Sequence, residues 1–563
     1  MKVVIIGGVA GGATAAARIR RLDEKAEIAV FERSGFISYA NCGLPYYIGG
    51  VIEDENDLTL QTPESFWKRF RVKMNVHCEV TAISPESKTV TVKNTESGRT
   101  FTEKYDKLIL SPGAKPIRPD FKGIDSPKIF MLRTVEDTLR IRKFLTERQP
   151  KTAVVVGGGF IGIEVAENLR EQGIGVTLIE AAEQLMAPFD ADMASFIHAE
   201  VRRNGIDLML GAMVEGFADT DDGINVQLKN ARKIRADMAV MAIGVAPDTS
   251  LAKEAGLKLG IKGSIVVNDK METSVPDIYA VGDAVQIKNF VTDRDTLISL
   301  AGPANKQGRI AADNICGGDS RYTGGQGSSV IKVFAMTAAA TGINEKTATS
   351  LGIDCDKVIL SPMSHAGYYP GGKLMTLKVL FEKGTYRLLG AQIIGYEGVD
   401  KRIDVLATAL RAGMKAYALA DLDLAYAPPY SSAKDPVNMA GYIIENIKNG
   451  VVKQWYYADD GLLPRDGSVT LLDTRTPMEY GRGHAQGFIN IPVDELRARI
   501  GELDSAKPVY IMCQSGLRSY IASRILTGYG FDAYNFAGGF RFYDAVRNDT
   551  ALRMRAAPCG MDD

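Results

Sequence analysis

Histidine is rare in this chain, cysteine is scattered, and neither sign of charge prevails. Four histidines occur in 563 residues, at 77, 198, 365 and 484, and none precedes position 77. Six cysteines stand at 42, 78, 316, 355, 513 and 559 without a CxxC pair. That spacing excludes a disulfide framework and a structural zinc site, so no metal is expected, and a reducing, cytoplasmic setting is. Lysine plus arginine number 67 against 68 acidic residues, which leaves no global field to draw in nucleic acid or an anionic membrane. No run approaches the roughly 18 apolar residues of a membrane span, and the start, MKVVIIGG, is too short for a signal peptide. With 45% hydrophobic residues, a chain of this length predicts about three to five globular domains.

One pattern occurs twice. Residues 3–12, VVIIGGVAGG, and residues 153–162, AVVVGGGFIG, each read as a β-branched strand breaking into a glycine loop, then a helix. Gly157, Gly159 and Gly162 make G-x-G-x-x-G, whose glycines permit the tight turn, the approach of a pyrophosphate and the packing of helix on strand. The first loop carries Val9 at the second glycine position, so Gly7, Gly8, Gly11 and Gly12 are read together as its turn. A second strand follows each loop and ends in a glutamate, Glu32 in EIAVFER and Glu180 in GVTLIEAAE, at the place where a carboxylate holds ribose hydroxyls. Two dinucleotide sites are expected. Glu180 accepts a 2′-hydroxyl and repels a 2′-phosphate, and neither Ala181 nor Ala182 offers a cation, so NADH is expected over NADPH.

DKLILSPGAKP (106–116), MAIGVAPDTS (241–250) and TSVPDIYAVGDAV (273–285) complete a set that resembles the two-dinucleotide-binding flavoprotein disulfide reductases from residue 1 to about 445. The resemblance implies FAD in the first site and NADH in the second. It assigns Gly7, Gly8, Gly11, Gly12, Glu32, Arg33, Val80, Ser111, Gly113, Asp283 and Ala301 to the flavin, and Gly157, Gly159, Gly162, Glu180 and Gly244 to the nicotinamide cofactor. The fold class it implies is α/β: two Rossmann-like domains (1–112 with 245–325 for FAD, 113–244 for NADH) and an α+β dimerisation domain (326–446) that forms a homodimer.

Cys42, in FISYANCGLPYY (36–47), falls ten residues after Glu32, where this family places its redox cysteine against the flavin. Relatives of the glutathione reductase type carry C-x4-C, but Tyr47 stands at the second position here. A single cysteine stores its oxidising equivalent on oxygen, as a sulfenic acid, or on another molecule's sulfur. The oxygen branch, NADH oxidase or peroxidase, uses a histidine after the first glycine turn, where this chain has Val9. YANCGLPYYIGG, SHAGYYPGG (364–372), GVDKRIDV (398–405) and LAYAPPYSSAKDPVNMAGY (424–442) instead resemble the coenzyme A disulfide reductases.

A CoA thiol carries a 3′-phosphate and a diphosphate and requires cations. Read alone, Arg18, Arg20 and Arg21 describe a solvated helix face. The resemblance assigns Thr14, Arg18, Arg21, Ser38, Asn41, Asn305 and Lys434 to a CoA pocket, with Tyr368 and Tyr426 reaching in from the partner subunit. No histidine lies in 421–445, so these tyrosines are the expected proton donors to departing thiol, and His365 is expected to be structural.

After residue 445 the pattern changes. A linker is expected at 447–466, and LLDTRTPMEYGRGHAQGFINIPVDEL, PVYIMCQSGLRSYIASRIL and AYNFAGGFRFYDA resemble an α/β rhodanese domain (467–563). Its loop runs Cys513-Gln514-Ser515-Gly516-Leu517-Arg518. Backbone N–H groups at a helix start, with an arginine, favour an anionic sulfur, so Cys513 and Arg518 join Cys42, Tyr368 and Tyr426 as expected catalytic residues. Asp473 and Arg475 are expected to hold that fold together, and Cys78, Cys316, Cys355 and Cys559 to take no part. The fusion implies reduction of CoA persulfide, polysulfide and CoA disulfide, with NADH oxidase or peroxidase chemistry as the alternative.

Overall fold

The computed structural model describes residues 1–556; Cys559 lies outside them. The described chain forms two compact units: Met1–Glu183 with Gly205–Gly327, and Gln184–Asn204 with the chain from Ser328 onward. The architecture is the mixed α/β one that the sequence predicts.

The first unit holds two five-stranded parallel sheets built to one plan. In one, Lys2–Ile6 is central between Lys107–Leu110 and Glu27–Phe31, with Ile278–Ala280 and Lys73–Asn75 at the edges. In the other, Thr152–Val156 is central between Met238–Met241 and Gly175–Ile179, with Ile129–Met131 and Asp207–Met209 outside. Sheets covered on both faces need continuous apolar strands, and Val3, Val4 and Ile5 are wholly buried, as are their counterparts Val154 and Val155 to within 1%. Helix Ala10–Leu22 is alanine-rich for a geometric reason. Its buried face, Ala13, Ala15 and Ala16, lets helix Ala301–Ile315 lie so close that a side chain on Gly308 would strike the Gly11 carbonyl. Each sheet is accompanied by a three-stranded antiparallel meander, Cys78–Ser84 to Thr100–Lys104 and Val214–Thr220 to Lys233–Ala236.

In the second unit an antiparallel sheet of order Ser329–Val333, Met336–Gly342, Leu388–Gly395, Thr376–Glu382, Cys355–Leu360 precedes a parallel sheet whose centre is Val509–Met512. The segment expected to be a linker is ordered along much of its length. Lys453–Trp455 pairs with Ala533–Phe536 as an edge strand of the parallel sheet, Trp455 is 2% exposed against Phe536, and the Tyr456 hydroxyl donates to Asp356 at 2.6 Å. Aromatic burial outweighed the turn-forming composition of the surrounding residues. Among the described residues no helix is long and apolar enough to cross a membrane.

Helix Ala191–Arg203 is tied to the antiparallel sheet through charge. Lys378, 1% exposed, reaches Asp192 at 2.8 Å, Asp190 at 3.0 Å and Glu345. Burial works to lower its pKa, but the carboxylates of Asp192, Asp190 and Glu345 overcome it and hold it raised. Replacing Lys378 by Met removes the cation and leaves three acids crowded together. Unpairing a buried ion costs about 3–5 kcal/mol, so a clearly lowered melting temperature is expected for Lys378→Met, and a melt unchanged from wild type would contradict this account.

Candidate active sites

The two glycine loops superpose in logic. Gly7 and Gly157 adopt φ of +98° and +113°, a region closed to side chains, and a Cβ on Gly12 or Gly162 would collide with the carbonyl of Gly7 or Gly157. Strand and helix therefore meet backbone to backbone. At Gly159 a Cβ would find nothing within 4 Å, an open cradle of the kind a pyrophosphate fills. The helices that follow, Ala10–Leu22 and Phe160–Glu171, have no side-chain cap, which leaves their first N–H groups directed at an anion.

Glu32 and Glu180 stand in the same relation to their loops. Glu32 accepts from the Gly8 N–H at 2.9 Å and the Ser34 N–H at 3.0 Å; Glu180 accepts from the Gly158 N–H at 2.6 Å and the Ala182 N–H at 2.7 Å. Beside the first loop lies a cavity of about 340 Å³ lined by Gly7, Glu32, Arg33, Val80, Ser111 and Gly113. Asn41 also lines it, and its buried Oδ1 has no hydrogen-bond partner among the described residues. Asp283, at the start of the short helix Gly282–Ala284, accepts from Arg133 at 2.8 Å. Helix Ala301–Ile315 also begins uncapped at Ala301, and Gly244 turns at φ +117°. Open helix starts, a cradle and an orphaned polar atom fit a flavin and a pyridine dinucleotide.

Cys42 sits in the single helical turn Asn41–Gly43, just before helix Leu44–Ile48, and is exposed. Surrounding protein pushes its pKa up, Glu164 and Asp283 add to the rise, and Arg133 opposes it. Glu164, on helix Phe160–Glu171, is itself pushed up to about 7 by burial and by Glu167. The Tyr46 hydroxyl is pushed up to about 12 by burial and the same two glutamates. Sequence reasoning did not single out Glu164 or Arg133: nothing in the local pattern distinguishes them, because the fold brings them to Cys42 from segments distant in the chain.

The residues assigned to CoA behave individually. Thr14 donates to Asn305 at 2.7 Å. Arg18 Nε is paired with Asp313 at 2.7 Å; Arg20 is buried and donates to the carbonyls of Phe70, Glu24 and Ala26. Arg21 is exposed, with no carboxylate partner among the described residues. Three arginines that look alike in sequence thus divide into a bridge, a structural clamp and an open cation. Ser38 turns at φ +46°, and Lys434, on the second unit, is exposed.

Also on the second unit, the Tyr368 and Tyr426 hydroxyls lie 2.7 Å apart on exposed side chains, 76% and 45%. His365 is buried, with Nδ1 3.1 Å from the Ala366 carbonyl. Cys513 is fully buried at the end of strand Val509–Met512. Its Sγ accepts from the Gly516 N–H at 3.1 Å and the Ser519 hydroxyl at 3.2 Å. Ser519 went unnoticed in the sequence because only the helical turn of Leu517–Gly528 swings it back to the sulfur. Arg475 is bidentate to Asp473 and stacks on Phe540 at 3.9 Å. Arg518 is bidentate to Glu479, both contacts 2.7 Å. Glu479 had a visible signal, the capping box Thr476-x-x-Glu479, which marks a helix start and says nothing of Arg518.

Comparison with known proteins agrees with this arrangement. Residues 1–308 match the pyridine nucleotide-disulphide oxidoreductase model, 328–436 its dimerisation domain, and 460–545 the rhodanese-like domain. A coenzyme A disulfide reductase of Staphylococcus aureus (strain JH9) is 38% identical over 442 residues, 78% of this chain and 99% of that protein. The reduced Bacillus anthracis CoADR-RHD structure is 48% identical with a TM-score of 0.95, covering 97% of this chain and 98% of its own. An NAD-dependent persulfide reductase from A. fulgidus is 36% identical with a TM-score of 0.91, covering 96% and 100%. The chain belongs to the pyridine nucleotide-disulphide oxidoreductase family, with a rhodanese-like domain joined after its dimerisation domain.

Proposed function

We propose that this chain is a cytoplasmic, homodimeric, NADH-dependent flavoprotein that reduces CoA persulfide, polysulfide and CoA disulfide through Cys42, with Cys513 carrying sulfane sulfur. The domains divide as 1–112 with 245–325 for FAD, 113–244 for NADH, 326–446 for dimerisation and 467–563 for the rhodanese. The observation that carries the reading is Cys42, the one exposed thiol among the described residues, in a chain whose other proposed active-site thiol, Cys513, is caged by an N–H and a hydroxyl donor.

Gly7, Gly12, Glu32, Ser111, Asp283 and Ala301 would hold the flavin, and Gly157, Gly159, Gly162 and Glu180 the nicotinamide cofactor. When bound, these groups pass the hydride equivalent of NADH on to sulfur. The chain's own residues do the rest. Cys42 thiolate attacks a CoA-bound sulfur, the S–S bond breaks, one thiolate leaves, and a Cys42–CoA mixed disulfide remains. Arg21 and Lys434 supply cations for the phosphates of CoA. Tyr368 and Tyr426, reaching in from the partner subunit with their hydroxyls hydrogen-bonded at 2.7 Å, protonate the departing thiolate. Glu164 takes the proton that Cys42 must lose.

The oxygen-reducing alternative finds no histidine before position 77. NADH and NADPH consumption by the flavin-loaded protein, with CoA persulfide, CoA disulfide, peroxide and oxygen in parallel, decides between them. Sulfur substrates and NADH are expected to dominate, Cys42→Ser to abolish turnover, and Cys513→Ser to impair only sulfane-sulfur delivery. Preference for peroxide, or turnover surviving Cys42→Ser, overturns the proposal.

Two further outcomes follow from the electrostatics. Because ionised Glu164 helps hold the Cys42 pKa up, Glu164→Gln moves the inflection of Cys42 alkylation by iodoacetamide to lower pH. The two profiles converge below about pH 7, where wild-type Glu164 is itself protonated. Coincident profiles throughout would remove Glu164 from the site. The paired replacement Tyr368→Phe with Tyr426→Phe is expected to slow CoA disulfide turnover by about 10²-fold, the contribution of a positioned acid, and unchanged turnover would refute that role.

A further inference from the structure

The Cys513 loop carries an arginine that is not free. Arg518 follows the loop as the second residue of helix Leu517–Gly528, and the Cys513 thiolate is close enough to raise its pKa further. Yet both terminal nitrogens of Arg518 are taken up by the two carboxylate oxygens of Glu479, Nη1 to Oε2 and Nη2 to Oε1, each at 2.7 Å. Arg518 holds Glu479 down to about 2, so the pair stays ionised at any working pH. The second guanidinium beside the loop, Arg475, donates to Gln514 Oε1 at 3.3 Å and is likewise matched by its own carboxylate, Asp473. Both of these guanidiniums are therefore matched by a carboxylate in fixed bidentate geometry, while Arg541, whose N–H donates to the Gln514 carbonyl, gives its side chain to Thr376 at 2.8 Å. Leu517 and Met478, the sequence neighbours of Arg518 and Glu479, are exposed at 65% and 68%. What directly meets a sulfur donor at Cys513 is a cage of N–H and O–H groups around one sulfur.

We infer that Glu479 is a specificity-determining residue of the Cys513 site: by occupying Arg518 it excludes the thiosulfate dianion and reserves the thiol for sulfane sulfur carried on an alkyl persulfide. The inference rests on the reading of Cys513 as a sulfur carrier. Both donors undergo the same exchange. The Cys513 thiolate attacks the sulfane sulfur, a new S–S bond forms on Cys513, and the old S–S bond breaks. Its electron pair leaves with sulfite from thiosulfate, or with the alkyl thiolate from an alkyl persulfide. Only the first leaving group is a dianion needing a free guanidinium, because an arginine fork matches an oxyanion in two parallel hydrogen bonds.

The test uses the full-length, flavin-loaded protein and reads two quantities: thiocyanate formed from thiosulfate and cyanide, and the mass gain of one sulfur on Cys513 after exposure to thiosulfate or to glutathione persulfide. Wild type is expected to load from glutathione persulfide and poorly from thiosulfate. Glu479→Gln is expected to lower KM for thiosulfate by about tenfold, the worth of one charge-assisted hydrogen bond, and the gain should fade with added salt. It should vanish in Glu479→Gln with Arg518→Ala. Thr476→Ala, which loses the helix cap while keeping the Arg518 pair, should show no gain; Glu479→Asp, too short for the bidentate pair, should show it if Glu479→Gln does not fold. A thiosulfate KM that stays at the wild-type value in both Glu479 variants, or a gain that persists without Arg518, overturns the inference. Absence of sulfur on Cys513 from both donors in wild type would instead overturn the carrier reading itself.

Discussion

In each glycine loop the carbonyl of the first glycine occupies the place where a Cβ on the last would stand. Strand and helix can meet at that distance only without side chains, and the meeting directs the uncapped helix start at whatever lies beyond the sheet's carboxyl edge. Everything at the reductase centre is arranged from there. Glu32 and Glu180 are fixed by N–H groups of the loops they follow, and the alanine face of Ala10–Leu22 lets Ala301–Ile315 come close enough for Thr14 to reach Asn305. Helix Phe160–Glu171, set by the second loop, carries Glu164 toward Cys42. A cofactor cradle and a redox thiol thus share one geometric origin.

The two cysteines proposed to react sit in opposite electrostatic settings. Cys42 is exposed but surrounded by groups that disfavour its thiolate, with Arg133 as the counterweight. Cys513 is closed off, and its sulfur is met by donors already in place. The first arrangement suits a thiol that must alternate between oxidised and reduced states, the second a thiol that stores one extra sulfur.

The second unit is held by buried polar contacts as much as by apolar packing. Lys378 gathers Asp190, Asp192 and Glu345. Leu185 N–H donates to His198 Nε2 at 3.0 Å, so His198 presents Nδ1–H to Asp549, 2.9 Å away on the last helix. Arg541 donates to Thr376 at 2.8 Å, and Ser361 to the Gly538 carbonyl at 3.3 Å. Such contacts anchor the parallel sheet's domain to the antiparallel one, and they make the segment 453–463 a structured junction where composition alone describes a tether.

Local chemistry was legible wherever it was written in consecutive residues. The glycine turns, the glutamates that close the second strands, the lone Cys42 in place of C-x4-C and the Cys513 loop all follow from short stretches, because a turn or a fingerprint is decided by neighbours in the chain. Which arginine among 18, 20 and 21 stays open, that Glu164 and Arg133 face Cys42, and that Glu479 occupies Arg518 were decided only by the tertiary structure. Those relations join residues separated by tens to hundreds of positions, and ion pairing and burial depend on distance in space, which a sequence pattern does not carry.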